Sequence, residues 1–246
     1  MAFPTVIYGP EGEQFSTYTT RRWPLGTQLR LPDGRNYRFC KAGGSALVVG
    51  NVIQTPANIS THVDLTVVSG AAGATQIVAT LGATNAATLD QYAEGYAVVS
   101  VTPGAGHIYK IKGHAAADAA ANITLDLMPG KTVEVALTTT SRLDLIYNPY
   151  DLVIQAPATT LTGNPVGVAV TAVAASAYGW IQARWLAAVL TAGTVVIGQL
   201  AISPTGTAGA CGPQSATYVA TETILGQVRR VAATTAWSTI SLLLPS

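Results

Sequence analysis

The sequence predicts an all-β protein in which β-barrel or β-sandwich sections follow an extended N-terminal arm. The first reason is alternation: Ile123, Leu125 and Leu127 are separated by polar residues, as in a strand with one buried face. The second is that 24 glycines and 13 prolines divide the chain into short segments. The third is the lack of long helical patterns. Only residues 83–95 and 114–122 predict helix, and both are too short to be stable without packing.

Residues 1–24 predict the arm. Prolines and glycines interrupt this segment, because proline removes an amide donor and glycine costs backbone entropy. The segment is nevertheless too apolar for a solvated tail, so we expect it to dock on a partner. Arginine and tryptophan are enriched in interface hot spots. The side chains expected to contact the partner are Tyr8, Phe15, Arg21, Arg22 and Trp23.

The rest of the chain predicts two β-rich sections. Residues 25–157 are expected to form one domain, and residues 158–246 a second section, either separate or packed on the first. Asp33-Gly34 suits a turn with positive φ, which predicts a β-hairpin at residues 29–39. In that hairpin Tyr37 and Phe39 should face inward.

An uncharged stretch, residues 166–183, has the length of a membrane span. It is rich in small residues, so we predict buried strands there and no membrane partner. The first residues lack a charged leader followed by an apolar run, so no secretory signal is expected.

Sequence motifs for catalysis are missing. The chain has neither a Gly-x-Ser-x-Gly elbow nor a phosphate-binding loop, so we expect no enzyme, no catalytic residue and no cofactor. The three histidines, His62, His107 and His114, are expected on the surface and not in a metal site. Cys40 and Cys211 are expected to be buried thiols, with a disulfide as the alternative.

The charge distribution argues against nucleic acid. Residues 1–50 contain six basic and three acidic residues, a net +3, and the other 196 residues sum to −2. Arg21 and Arg22 could contact phosphates while Trp23 stacks on a base. This basic excess is a weak footprint, so a protein contact is favoured and no direct nucleic-acid partner is expected.

One family resemblance covers most of the chain, from about Thr20 onward. Residues 21–56, RRWPLGTQLRLPDGRNYRFCKAGGSALVVGNVIQTP, resemble an N-terminal stretch of tailed-phage structural proteins. Those proteins pair an Asp-Gly-Arg-x-Tyr/Phe-Arg hairpin with an Ala-Gly-x-x-x-Leu-x-x-Gly turn. Similar segments follow in the same order, at residues 94–114, 148–157, 178–203, 224–230 and 237–244. The family is that of phage head decoration, or cement, proteins.

The resemblance implies a structural virion protein without cofactor or catalysis. Such proteins are all-β, are usually trimeric, and lie outside the capsid over joints between major capsid subunits. An N-terminal arm commonly adds strands or wedges to the shell. The implied partners are therefore the major capsid protein and the chain itself as a homotrimer. The implied location is the outer surface of the capsid, after synthesis in the host cytoplasm. An extra middle section distinguishes this chain from the simplest members.

Two other functions remain open from the sequence. A glycan- or host-surface-binding β module would use exposed aromatic residues beside acids. Trp180, Trp185 and Trp237 lie in apolar strand contexts, however, where core packing is expected. A tail or baseplate structural protein would also be all-β and assembly-bound.

Overall fold

The computed structural model describes residues 5–215 and 221–245, and within them the predicted all-β fold is confirmed. Two short 3₁₀ helices, Glu13–Phe15 and Ser60–His62, are the helical elements of these ranges. The strands in chain order are β1 (Val6–Tyr8), β2 (Gln28–Arg30), β3 (Asn36–Lys41), β4 (Val52–Gln54), β5 (Leu65–Ser69), β6 (Gln76–Thr80), β7 (Tyr96–Val101), β8 (Ile108–His114), β9 (Asn122–Leu127), β10 (Arg142–Ile146), β11 (Ile154–Gln155), β12 (Pro165–Ala169), β13 (Tyr178–Leu190), β14 (Leu200–Ser203), β15 (Gly212–Pro213), β16 (Thr223–Arg230) and β17 (Trp237–Leu243).

The chain forms two compact units. The sheet unit comprises residues 1–57 and 149–246, and the barrel unit comprises residues 58–148. This division differs from the predicted boundaries after residues 24 and 157. The reason is strand pairing: β4 pairs with both β11 and β12, which joins the sections before and after the insertion.

The sheet unit is one sheet of 11 strands. Its main path runs β1-β2-β3-β13-β17-β16-β14-β15, while β12 connects β13 to β4 and β4 pairs with β11. β1 and β2 are parallel, and the other pairs are antiparallel. The predicted hairpin is confirmed by the β2–β3 pair, with Gly34 at φ +90° in the turn. Tyr37 and Phe39 are buried as expected.

The predicted strands within residues 166–183 are confirmed as β12 and the first half of β13. β13 pairs first with β3 and then with β17, changing partner at a bulge between Gln182 and Arg184. Small and β-branched residues suit this doubly covered position. Among the described residues, no helix is both long and apolar enough to cross a membrane.

Both cysteines are buried, unpaired thiols of the sheet unit, which confirms that expectation. Burial raises the pKa of Cys40 to about 12 and the pKa of Cys211 to about 11. A buried neutral thiol packs as a small apolar group, so each cysteine contributes to the core and not to reactivity.

The barrel unit is a closed six-stranded barrel in the order β10-β5-β6-β9-β8-β7, with antiparallel neighbours throughout. Alternate residues of each strand fill the interior, as Ile123, Leu125 and Leu127 of β9 show. The predicted alternation is therefore confirmed for that strand.

The two segments with short helical patterns, residues 83–95 and 114–122, form turns of the barrel unit instead of helices. Ala87 and Ala117 exchange backbone hydrogen bonds of 2.8 and 2.9 Å, which holds the two segments in an antiparallel bridge. Asp90, Glu94 and Ala120 have φ between +56° and +60°, outside the right-handed helical region. The long-range bridge prevails over the helix propensity of alanine.

The surface prediction for the histidines is wrong for His62 and His114, which are buried in the barrel unit. The Tyr92 hydroxyl lies 2.6 Å from His62 Nδ1, and the Tyr92 backbone N–H donates to His114 Nε2 at 3.0 Å. Backbone carbonyls of Asn85 and Ala115 lie near the remaining ring nitrogens, at 3.0 and 2.8 Å. Both rings are satisfied by hydrogen bonds, which permits their burial.

Candidate functional site

The described part of the N-terminal segment, residues 5–24, docks on the sheet unit of its own chain. β1 pairs with β2 at one end of the segment. Further along, Tyr18 and Tyr178 exchange backbone hydrogen bonds of 2.9 and 2.8 Å. The segment therefore extends along the sheet unit, and backbone hydrogen bonds fix the positions from which its exposed side chains project.

Ion pairs hold this segment against the hairpin. The Arg35 guanidinium bridges Glu11, at 2.6 Å, and Asp33, at 2.5 Å. The backbone N–H of Arg35, followed by its guanidinium, lowers the pKa of Asp33 because both favour the ionised carboxylate. The bridge links the β2–β3 turn to the 3₁₀ region of the segment.

The predicted contact residues divide into exposed and supporting ones. Tyr8 and Phe15 are 79% and 53% exposed, although both are large and aromatic. Trp23 is half-buried, with its ring centroid 5.2 Å from those of both Phe39 and Trp180 and 5.4 Å from that of Tyr18. Each such pair contributes about 0.5–1.5 kcal/mol beyond area burial. Trp23 therefore anchors the segment to the core.

The two adjacent arginines have different surroundings. The Nε–H of Arg21 donates to the Trp23 carbonyl at 3.1 Å. The Arg22 guanidinium lies 5.4 Å from the ring centre of Tyr18 and 5.5 Å from that of Trp23, which is cation–π geometry. Among the described residues, Arg22 has no hydrogen bond or ion pair. Its guanidinium is positioned by aromatic rings while its N–H donors stay open to solvent.

A pocket of about 420 Å³ lies between the N-terminal segment and β13. This volume lies within the usual range of ligand pockets, about 300–1,000 Å³. Its described lining includes four aromatic residues, one cation and one carboxylate. The lining residues that matter for binding are Tyr8, Glu13, Tyr18, Arg22, Trp23 and Trp180.

Polar groups of the pocket are only partly engaged. The Tyr18 hydroxyl donates to Glu13 at 2.7 Å, and burial, followed by that hydrogen bond, raises the pKa of Tyr18. Trp180 is fully buried, and its Nε1–H has no acceptor among the described residues. An unsatisfied buried donor costs about 1–3 kcal/mol. The pocket therefore combines apolar walls with the exposed guanidinium of Arg22, and the Trp180 donor lies buried behind them.

β1 has one unpaired edge. Gln28 N–H donates to Thr5 O at 2.9 Å, and Gly9 N–H donates to Arg30 O at 3.2 Å. Because backbone groups alternate in direction, the amides of Ile7 face β2 and those of Val6 and Tyr8 face away. β1 ends the path of the described sheet, so these outward groups meet no further strand there.

The structure thus brings Tyr8, Arg22 and Trp23 to one pocket and leaves Phe15 and Arg21 outside its lining. Sequence reasoning missed Glu13 and Trp180 as pocket residues. The bridge between Tyr18 and Tyr178 joins positions 160 residues apart, and no local pattern announces such a contact.

Two exposed tryptophans lie on β13 and β17, near opposite ends of the ladder that these strands form. Trp185 and Trp237 are each 51% exposed, so the prediction that both pack in the core is wrong, whereas Trp180 is buried as predicted. Trp185 follows the β13 bulge with φ +71°, which turns its side chain outward. The Gln182 side-chain amide braces the bulge by donating to the carbonyls of Arg184 and Leu186, at 3.0 and 2.8 Å.

Comparisons with known proteins add no identification. Neither the protein-family models, nor the curated proteins, nor the solved structures include a match to this chain. Within residues 5–215 and 221–245, no three His, Cys, Asp or Glu side chains are grouped so that they could hold a metal ion.

Proposed function

We propose that this protein is a head decoration protein, which binds the outside of a tailed-phage capsid and stabilises it by bridging major capsid subunits. The observation that carries this proposal is the unpaired edge of β1 beside the exposed Tyr8. A bare strand edge is a template for pairing with another chain, and proteins that keep one need it covered. A phage shell made of many neighbouring subunits supplies such cover.

The contact is built from two kinds of interaction. Strand addition at β1 supplies main-chain hydrogen bonds to an extended capsid segment. Tyr8 lies on that edge, and Phe15, Arg21 and Arg22, which are exposed on the same N-terminal segment, contribute further side-chain contacts. Trp23 has the different task of holding the segment in place from below.

Self-association as a homotrimer belongs to the proposal and is assigned to the exposed surface around Trp185. A low charge fraction of 10% gives weak repulsion between copies. Trp185, exposed between Arg184 and Leu186, has the composition of an interface hot spot. Three linked copies would bind the shell far more tightly than one, because later contacts form at high effective concentration.

Cosedimentation with capsids lacking this protein tests the proposal. Val6→Pro removes the outward N–H of β1, and a proline is tolerated where the N–H faces solvent. Val6→Thr keeps that N–H and is the matched control. We expect wild type and Val6→Thr to cosediment, and Val6→Pro to lose most of its binding while melting at nearly the wild-type temperature. Wild type that stays in the supernatant, or Val6→Pro that binds like the control, would contradict the proposal.

The aromatic pocket beside Glu13 favours one second candidate, a glycan-binding module. Sugar rings stack on aromatic faces while carboxylates accept their hydroxyl hydrogens. A glycan array would detect this activity, and binding that disappears in Trp23→Ala but not in Val6→Pro would support it over capsid decoration. Immunogold labelling of virions would separate a head location from a tail or baseplate location.

A further inference from the structure

The pocket beside β1 can discriminate between the side chains that a strand bound at β1 would place in it. We propose that it accepts an aspartate or glutamate side chain of an extended segment of the major capsid protein, with Arg22 pairing to the carboxylate. This inference rests on the proposed function. It adds a sequence requirement on the partner to the general strand addition described above.

Arg22 is preorganised for such a pair. Its guanidinium is held over the rings of Tyr18 and Trp23, so little side-chain entropy remains to be lost when an anion arrives. Its donors have no partner among the described residues. A guanidinium can bind a carboxylate through two parallel hydrogen bonds, which makes it selective for that group.

The position of the pocket matches a strand added at β1. Tyr8 both lines the pocket and carries backbone groups that face the free edge. Side chains of an added strand alternate between two faces, so every second residue projects on the pocket side. In strand addition the backbone supplies affinity, and a pocket for one of these alternate side chains supplies specificity.

The local charges favour an acidic occupant. Glu13 is the one carboxylate of the described lining; it accepts a hydrogen bond from Tyr18 and forms no ion pair with Arg22. Arg30, the register partner of Tyr8 on β2, is exposed and adds positive charge next to the edge. The sheet unit has nine basic and five acidic residues, a net +4. An acidic segment is therefore attracted and a basic one repelled.

Two variants that each replace a charged side chain by an uncharged one distinguish whether the bound side chain is acidic or basic. Arg22→Gln should weaken binding to capsids about 10-fold, because a charge-assisted contact is lost. Glu13→Gln keeps an acceptor for Tyr18 and removes a like charge, so it should strengthen binding by about 2-fold. Arg229→Gln, at an exposed arginine outside the pocket lining, is the matched control and should bind as wild type. Affinities are measured by cosedimentation of the full chain at two salt concentrations.

Each outcome decides the proposal. Weaker binding by Arg22→Gln with a shallower salt dependence, tighter binding by Glu13→Gln and an unchanged control support it. Tighter binding by Arg22→Gln together with weaker binding by Glu13→Gln would identify a basic occupant and overturn the proposal. Wild-type affinity for Arg22→Gln would also overturn it. If Val6→Pro abolishes binding while Arg22→Gln binds with wild-type affinity, capsid decoration stands and the carboxylate pocket fails. If wild type binds no capsid, both fail. Thermal melting of each variant confirms that its fold is intact.

Discussion

The sheet unit and the barrel unit differ in whether their strands leave an unpaired edge. The barrel unit closes on itself, so its six strands leave no bare edge. The main strand path of the sheet unit has β1 at one end and β15 at the other, and the outward amides of β1 remain unpaired in the described chain. Their charges also differ, since the barrel unit has four basic and seven acidic residues, a net −3, against +4 for the sheet unit. We therefore propose that the assembly contacts lie on the sheet unit and that the barrel unit is self-contained.

The connection between the units supports this separation. The barrel unit is inserted between β4 and β11, and these strands pair directly, with Ile154 opposite Gln54. The chain therefore leaves and re-enters the sheet unit at neighbouring strands, as in a hairpin whose turn has been replaced by a domain. Insertions at such points are tolerated because the host backbone is already closed by its own hydrogen bonds.

The largest expected effect comes from removing the barrel unit. Replacing residues 58–148 by a short Gly-Asn-Gly turn should leave a sheet unit that folds and binds capsids, since β4 and β11 keep their pairing. Residues 58–148 alone should also fold, because the closed barrel has its own core. Far-UV circular dichroism and cosedimentation measure both. An excised sheet unit that is unfolded would show that the separation is wrong.

Core truncations should act on one unit at a time. Leu125→Ala in the barrel unit and Leu29→Ala in the sheet unit each remove a fully buried leucine, at a cost of about 2–5 kcal/mol in the free energy of unfolding. All four tryptophans, Trp23, Trp180, Trp185 and Trp237, belong to the sheet unit.

Tryptophan fluorescence therefore reports the sheet unit alone, and circular dichroism reports both units. We expect Leu125→Ala to lower the melting temperature of the barrel unit, which only circular dichroism detects. Leu29→Ala should lower the melting temperature of the sheet unit, which fluorescence also detects. Equal shifts by both probes for both variants would mean that the chain unfolds as one cooperative body.

A smaller effect is expected from the buried network of the barrel unit. Tyr92→Phe leaves His62 Nδ1 without its hydroxyl partner, so the barrel unit should lose about 1–3 kcal/mol. Tyr96→Phe is the control, because the hydroxyl of its half-buried ring has no hydrogen bond to the residues that the structure describes, and it should change stability by less than about 0.5 kcal/mol. Urea denaturation of the isolated barrel unit compares the two, and equal losses would refute the role of the network.

The smallest expected effect is on thiol reactivity. Burial raises the pKa of both cysteines, to about 12 and about 11, so raising the pH from 7 to 9 should not make them reactive in the folded sheet unit. Both should react with a disulfide reagent after denaturation. A thiol that reacts in native protein at pH 9 would show that the sheet unit opens locally.

The sequence was sufficient for features set by local patterns. The Asp33-Gly34 hairpin, the alternation of β9 and the buried strands at residues 166–183 were all predicted, because turn chemistry and burial period act over a few residues. The division into two units has no local pattern that predicts it, since it depends on β4 pairing with strands about 100 residues later.

Contacts between distant parts of the chain also limit how much of the pocket the sequence predicts. Tyr8 and Arg22 were singled out as aromatic and cationic residues in a segment that cannot be a helix, yet their pocket needs Trp180 from β13. Trp185 was placed in the core because its neighbours are apolar, and the bulge with φ +71° that turns it outward has no sequence signature.

Hydrogen exchange on capsid-bound protein tests the central claim, that the free edge of β1 receives a strand of the shell, most directly. In the free protein the amides of Val6 and Tyr8 should exchange fast, while that of Ile7 is protected by β2. Residue-resolved mass spectrometry of the bound protein should show new protection at Val6 and Tyr8, with little change at Ile7. Bound protein in which Val6 and Tyr8 still exchange as fast as in the free protein would contradict the account.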